Sequence, residues 1–123
     1  MGVKPVTSLG RSGLSDWLIQ RVSAVVIAIY VLVMVGYLVA HPDLVYLEWA
    51  ALHQQFWVRL LTLATVLAIA AHAWIGVWAV LTDYVTVRLM GAKATVLRIA
   101  LELATIALIL AYVVWAIEIL WGA

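Results

Sequence analysis

Three long apolar stretches, separated by charged residues, dominate this sequence of 123 residues. Their apolar cores cover residues 22–40, 60–82 and about 99–121. A membrane hydrocarbon core of about 30 Å is crossed by about 20 helical residues, so each stretch is long enough to cross it once. The sequence therefore predicts an all-α integral membrane protein with helices over about residues 17–40, 57–82 and 96–121.

The amino-acid composition requires a lipid surrounding. Hydrophobic residues make up 68% of the chain and charged residues 11%, whereas soluble domains average about 45–50% and 25%. Seven Lys or Arg and six Asp or Glu cannot cover the outside of a soluble domain of this length. We expect a single membrane domain over residues 1–123, because the chain has no internal repeat or low-complexity segment.

Charge and cysteine content exclude several other classes of protein. The net charge is +1 and the cationic residues are scattered singly, so nucleic acid is not an expected partner. The chain has no cysteine, which excludes a disulfide, a thiolate-bound iron–sulfur cluster and covalent attachment of haem. Any haem would be held non-covalently.

The distribution of cationic residues predicts the orientation of the helices. Most lie before or at the start of the first helix, or between the second and third: Lys4, Arg11, Arg21, Arg88, Lys93 and Arg98. Only Arg59 lies in the other connection, which opens with the turn signal His41-Pro42-Asp43. The positive-inside rule then predicts a cytoplasmic N-terminus and a C-terminus outside.

His72 is the most informative residue, since it lies midway along the second stretch with no other ionisable group between Arg59 and Asp83. Ionisable side chains at membrane depth are rare and tend to face a functional site. Two interpretations stay open at this point. His72 is either an axial ligand of haem iron or a polar residue that hydrogen-bonds a neighbouring helix. His41 and His53 lie in the outer connection, so a second haem ligand would have to come from a partner.

Other residues on the same helix extend this interpretation. Gly76 follows His72 by one turn, where its missing side chain would admit either a flat ring or another helix. Asp83 returns to within about 20° of His72 and lies about 16 Å further along the axis. Tyr84 beside it ends the helix, and interfacial tyrosines are common. Arg21, one turn inside the first helix, is expected either to reach lipid headgroups or to pair with a buried anion such as a haem propionate.

Two segments resemble the small membrane anchor subunits of bacterial succinate dehydrogenase, the succinate:quinone oxidoreductase of the respiratory chain and tricarboxylic acid cycle. The first is LGRSG at residues 9–13, followed by Asp16 and Arg21. The second is HAWIG at residues 72–76, followed by Trp78 and by LTDYV at residues 81–85. The third helix matches only in length, position and its leading Arg98.

The resemblance implies a function and a set of site residues. His72 would be an axial ligand of haem b, shared with a larger cytochrome b anchor subunit that gives the second histidine and completes a haem-binding bundle. Asp83 and Tyr84 would contribute to the ubiquinone pocket, and Arg21 would lie near the haem propionates and that pocket. Flavoprotein and iron–sulfur subunits would oxidise succinate and deliver electrons to quinone. The location implied is the bacterial inner membrane, with the C-terminus periplasmic.

Two alternatives remain at the level of sequence. One is an anchor of a related fumarate reductase or of a haem-free quinone oxidoreductase. The other is a structural or transport subunit of the membrane, which would function without a flavoprotein partner. On either of the oxidoreductase interpretations this chain performs no succinate chemistry itself.

Overall fold

The computed structural model describes residues 13–122, which form helices joined by short connections. The helices are α1 (Gly13–Ala40), α2 (Tyr46–Gln54), α3 (Phe56–Tyr84), α4 (Val87–Met90) and α5 (Lys93–Trp121). Within residues 13–122 there is no β-strand, and α1, α3 and α5 are long and apolar enough to cross a membrane. The predicted all-α, three-span architecture is confirmed. Lys4, Arg11 and most of the LGRSG segment lie outside the described residues.

Two of the three long helices begin several residues earlier than the sequence predicted. α1 starts at Gly13 rather than about residue 17, and α5 starts at Lys93 rather than about residue 96. The predicted boundaries rested on apolarity, whereas helical hydrogen bonding continues through the polar turns at either end of a span. Asp16 lies in the first turn of α1, where a carboxylate suits the positive end of the helix dipole.

The first connection contains the expected turn and also a helix that was not predicted. The His41 amide donates to the Tyr37 carbonyl at 3.0 Å, and the Leu44 amide donates to the His41 carbonyl at 3.1 Å. Pro42 cannot continue the helix, because it lacks an amide hydrogen and restricts the residue before it. The predicted helix stop is therefore confirmed, but α2 follows it within a few residues.

α3 occupies the centre of the fold, packing against α1 on one side and α5 on the other. Few apolar side chains are buried by this packing: Val58, Ile75, Leu81, Ala94 and Leu120. Large side chains face outward instead, and Leu32 and Leu108 are 71% and 59% exposed. An apolar exterior of this extent is covered by lipid or by partner subunits, not by water.

Aromatic rings cluster where α1 meets α2, at the far end of α1 from Gly13. The ring of His41 stacks on Tyr37 at 4.1 Å, and that of His53 lies 4.5 Å from Trp49. Nδ1 of each histidine is 2.9 Å from the carbonyl oxygen of that same aromatic residue. Both histidines therefore interact with their own local segment and lie away from His72.

Candidate functional site

A cavity of about 280 Å³ lies between the first turns of α1 and the last turns of α3. It is lined from α1 by Asp16, Trp17, Gln20 and Arg21, and from α3 by Ile75, Gly76, Trp78, Ala79, Thr82 and Asp83. The two helices run in opposite directions, so the start of one meets the end of the other. Two of the predicted site residues, Arg21 and Asp83, are brought to one cavity.

The spacing of polar residues on α1 explains why this face meets α3. Asp16, Gln20 and Ser23 are separated by four and three residues, which places them on one side of a helix. Asp16 and Ser23 are both buried. Burial of polar side chains at membrane depth requires polar partners. On the facing side, α3 carries His72, Thr82 and Asp83. Polar side chains are therefore concentrated at the interface between α1 and α3.

Arg21 and Asp83 are two of the charged residues that line the cavity. The guanidinium carbon of Arg21 lies 5.5 Å from the centre of the Trp17 ring, a cation–π distance. Among residues 13–122, neither Arg21 nor Asp83 forms an ion pair within 4.0 Å. The Gln20 side-chain oxygen is buried and has no hydrogen-bond partner within residues 13–122. The cavity is thus lined by the guanidinium of Arg21, the carboxylates of Asp16 and Asp83, and the amide of Gln20.

His72 contacts α1 beside the cavity and does not line it. Its Nδ1 lies 3.0 Å from the Ser23 hydroxyl oxygen, and the residue is partly buried. Its other ring nitrogen, Nε2, has no hydrogen-bond partner in the described residues. Of the three histidines, His72 is the one that reaches a different helix. Within residues 13–122, no group of three or more His, Cys, Asp or Glu side chains lies close enough together to hold a metal ion.

Gly76 faces α1 as well. A Cβ atom built on Gly76 would lie 3.9 Å from Nε2 of Gln20, with nothing nearer. That distance is ordinary van der Waals contact. Of the two interpretations of this glycine, approach by another helix describes the structure, because Gln20 of α1 lies over the position where a side chain would begin.

Asp83 and Tyr84 diverge although they are adjacent in sequence. Asp83 lines the cavity, whereas Tyr84, the last residue of α3, is 66% exposed and is not part of the cavity wall. The Tyr84 hydroxyl makes no hydrogen bond within residues 13–122. It is therefore available to a ligand or to a subunit that packs on this end of the bundle.

Two residues of this interface, Gln20 and Ser23, were not among the predicted site residues. Both are uncharged and lie in an otherwise apolar helix. The signal that would have found them is their helical spacing from Asp16, which predicts a polar face on α1.

A second cavity, of about 540 Å³, lies between α3 and α5. It is lined almost wholly by apolar side chains, with Thr105 and Tyr112 as its polar members. No carboxylate, guanidinium or imidazole lines it, so it offers no charged group that would orient a polar ligand. The cavity at Arg21 and Asp83 is the better candidate for chemistry.

Comparison with known proteins gives the family. No family model matches the chain. The chain is 37% identical over 118 residues to the succinate dehydrogenase hydrophobic membrane anchor subunit of Coxiella burnetii (strain RSA 493 / Nine Mile phase I), and the match covers 96% of each of the two chains. Similarity at this level over nearly the full length confirms the resemblance seen in the sequence. The chain therefore belongs to the family of succinate dehydrogenase hydrophobic membrane anchor subunits.

Proposed function

We propose that this membrane anchor subunit supplies one axial ligand of haem b through His72 and helps to form a ubiquinone-reducing site with Asp83, Tyr84 and Arg21. The flavoprotein and iron–sulfur subunits of the complex would carry out succinate oxidation. This chain would hold those subunits at the membrane, together with a larger cytochrome b anchor subunit.

One observation carries the proposal: the antiparallel pairing of α1 with α3. It brings Arg21 and Asp83 to one cavity, and it leaves His72 about midway along α3 on the same interface. The interface between α1 and α3 thus carries an imidazole at membrane depth and charged groups near the helix ends. This arrangement would place a haem within the bilayer, beside His72, and a quinone near the membrane interface, beside Arg21 and Asp83.

The residues fit a haem. A haem iron takes axial imidazoles, and His72 has one ring nitrogen with no hydrogen-bond partner in the described residues. Since His41 and His53 are engaged at the far end of α1, the second axial ligand would come from the larger anchor subunit. Arg21 would pair with a propionate. When bound, haem b would supply a one-electron redox centre within the bilayer.

The quinone site would use groups at the end of α3. Reduction of ubiquinone to ubiquinol consumes two electrons, which the iron–sulfur subunit would deliver, and two protons. The Tyr84 hydroxyl is a donor and would bond a quinone carbonyl oxygen. Asp83 would hold an arginine of a partner subunit or a water that replaces the protons consumed. The exposure of Tyr84 supports this role, because the site would be completed by other subunits.

The cavity end of the bundle is proposed to lie at the cytoplasmic side of a bacterial inner membrane, with the C-terminus in the periplasm. The support is the positive-inside rule. Arg88 and Lys93, near α4 and the start of α5, follow the end of α3 and so share this side of the membrane with Arg21.

The test is the haem content of the purified complex carrying His72→Ala. We expect the complex to assemble with haem b lost, or with its low-spin absorption spectrum altered. His41→Ala is the matched control, since that imidazole interacts with Tyr37 of α1 and lies away from His72, and it should leave the spectrum unchanged. Haem b content and spectrum unaffected by His72→Ala in an assembled complex would overturn the haem assignment, and absence of haem from the unmodified complex would favour a haem-free anchor.

A further inference from the structure

Ser23 links His72 to the backbone of α1 through two short contacts. Its hydroxyl oxygen lies 3.0 Å from His72 Nδ1 and 3.1 Å from the Gln20 carbonyl oxygen. Ser23 is 4% exposed, so water does not compete for these contacts. The link joins α1 to α3 about midway along α3.

The number of available protons sets the direction of these hydrogen bonds. A serine hydroxyl has a single proton, and a carbonyl oxygen can only accept. Since the Ser23 hydroxyl donates to the Gln20 carbonyl, the contact with His72 requires a proton on Nδ1, which donates to the serine oxygen. A neutral imidazole with its proton on Nδ1 has an unprotonated Nε2. The contacts therefore select the tautomer in which Nε2 offers a lone pair.

We propose that Ser23 is a positioning residue for the haem ligand: by accepting the Nδ1 proton of His72, it fixes the tautomer and ring orientation that present Nε2 to the iron. The inference rests on the proposed function of His72 as ligand. Ser23 would act on the iron only through its contact with His72. Hydrogen bonds of this kind to ligating histidines orient the ring and raise its basicity, and their loss commonly costs about 10-fold to 100-fold in metal affinity.

Substitutions at position 23 separate this role from simple packing. Ser23→Ala removes the acceptor, Ser23→Thr keeps it, and Ser23→Cys keeps the volume while offering only a weakly accepting sulfur. Thr65→Ala is the matched control. Thr65 is also buried and its hydroxyl donates to a carbonyl of its own helix, that of Leu61 at 2.9 Å, but it makes no contact with His72.

The experiment uses the whole purified complex and measures haem per flavin, the rate of haem loss to an apoprotein acceptor, and the haem midpoint potential. We expect Ser23→Ala to weaken haem retention by about 10-fold to 100-fold. It should also raise the potential, because a less basic imidazole stabilises ferric iron less. Ser23→Thr should restore both properties, and Thr65→Ala should change neither.

Distinct outcomes test the two proposals. If His72→Ala loses haem while Ser23→Ala keeps normal haem retention and potential, the role of Ser23 is overturned and His72 stands as the ligand. If His72→Ala retains haem, the proposed ligand itself is wrong. Should Ser23→Ala fail to assemble, Ser23→Cys decides: a raised potential supports the role, and an unchanged potential overturns it. Equal effects of Ser23→Ala and Thr65→Ala would also overturn it, since they would indicate packing alone.

Discussion

The hydroxyl groups of Tyr30 and Thr62 lie 2.9 Å apart and join α1 to α3. This hydrogen bond lies on the same interface as the contact between Ser23 and His72, closer to the far end of α1. Polar groups inside a bilayer have no water to satisfy them, so cross-helix bonds of this kind favour one pairing and one register of the two helices.

The contribution of this bond can be measured with a double-mutant cycle of Tyr30→Phe and Thr62→Val. We expect a coupling energy of about 0.6 kcal/mol, and no more than about 1.7 kcal/mol, as found for interhelical hydrogen bonds in membrane proteins. The measurement is the free energy of unfolding of the anchor in a detergent titration.

A matched cycle provides the control for that coupling. Thr105 of α5 donates to the carbonyl of Leu101 in its own helix at 2.8 Å. The pair Tyr30→Phe and Thr105→Val should therefore be additive within about 0.5 kcal/mol. A coupling as large in the control pair as in the test pair would show that the Tyr30 hydroxyl does not bond Thr62 specifically.

The three spans could be predicted because apolar length alone determines them, whereas α2 could not. α2 has only nine residues, and its N-cap is Val45, whose side chain makes no capping hydrogen bond. Without an N-cap serine, threonine, aspartate or asparagine, the sequence carries no capping signal there, and Glu48 in the first turn is a weak indication by itself. The helix stop at Pro42 was predictable because proline acts locally.

The candidate site was only partly predictable for a similar reason. Arg21, His72 and Asp83 stand out because an ionisable residue in an apolar stretch is conspicuous in any fold. The helix that covers His72 was not predictable, because it depends on which faces of α1 and α3 pack together. The contact of Ser23 with His72 arises only from that packing, and the Tyr84 side chain is 66% exposed, with no hydrogen-bond partner for its hydroxyl within residues 13–122.

Gly76 provides a test of whether α1 or a flat cofactor lies over this position. Gly76→Ala adds a Cβ that meets only Gln20 Nε2, at 3.9 Å, so we expect haem content to be unchanged and the stability to change by no more than about 1 kcal/mol. The haem content of the purified complex, measured from the absorption spectrum of its pyridine complex, tests the first of these expectations. Gly36→Ala is the control, because a Cβ there would meet nothing within 4 Å. Loss of haem in Gly76→Ala but not in Gly36→Ala would mean that the ring, and not only α1, approaches Gly76.

The orientation of the chain can be tested by cysteine labelling, since the natural sequence contains no cysteine. We expect Gly122→Cys to react with a membrane-impermeant maleimide applied from the periplasmic side, and Ser8→Cys to react only after the inner membrane is opened. The physical reason is the excess of Lys and Arg on the side of the N-terminus. The reverse labelling pattern would show that the positive-inside prediction is wrong.

The Tyr84 hydroxyl is expected to donate a hydrogen bond to a quinone carbonyl, and Tyr84→Phe removes that donor while keeping the ring. A lost hydrogen bond is worth about 0.5–1.5 kcal/mol, and more where negative charge develops on the acceptor. At about 1.4 kcal/mol per tenfold, succinate-driven quinone reduction should fall by about twofold to tenfold, and by up to about a hundredfold if charge develops.

Two controls separate a quinone contact at Tyr84 from a role in assembly. Succinate oxidation with a soluble dye that takes electrons before the membrane should be unaffected by Tyr84→Phe, because on the proposed function the flavin and clusters would belong to other subunits. Tyr46→Phe makes the same chemical change at a tyrosine of α2 that is 77% exposed, and it should leave both assays unchanged. Equal losses in the dye and quinone assays of Tyr84→Phe would mean that the hydroxyl supports assembly. Normal quinone reduction in Tyr84→Phe would remove Tyr84 from the site.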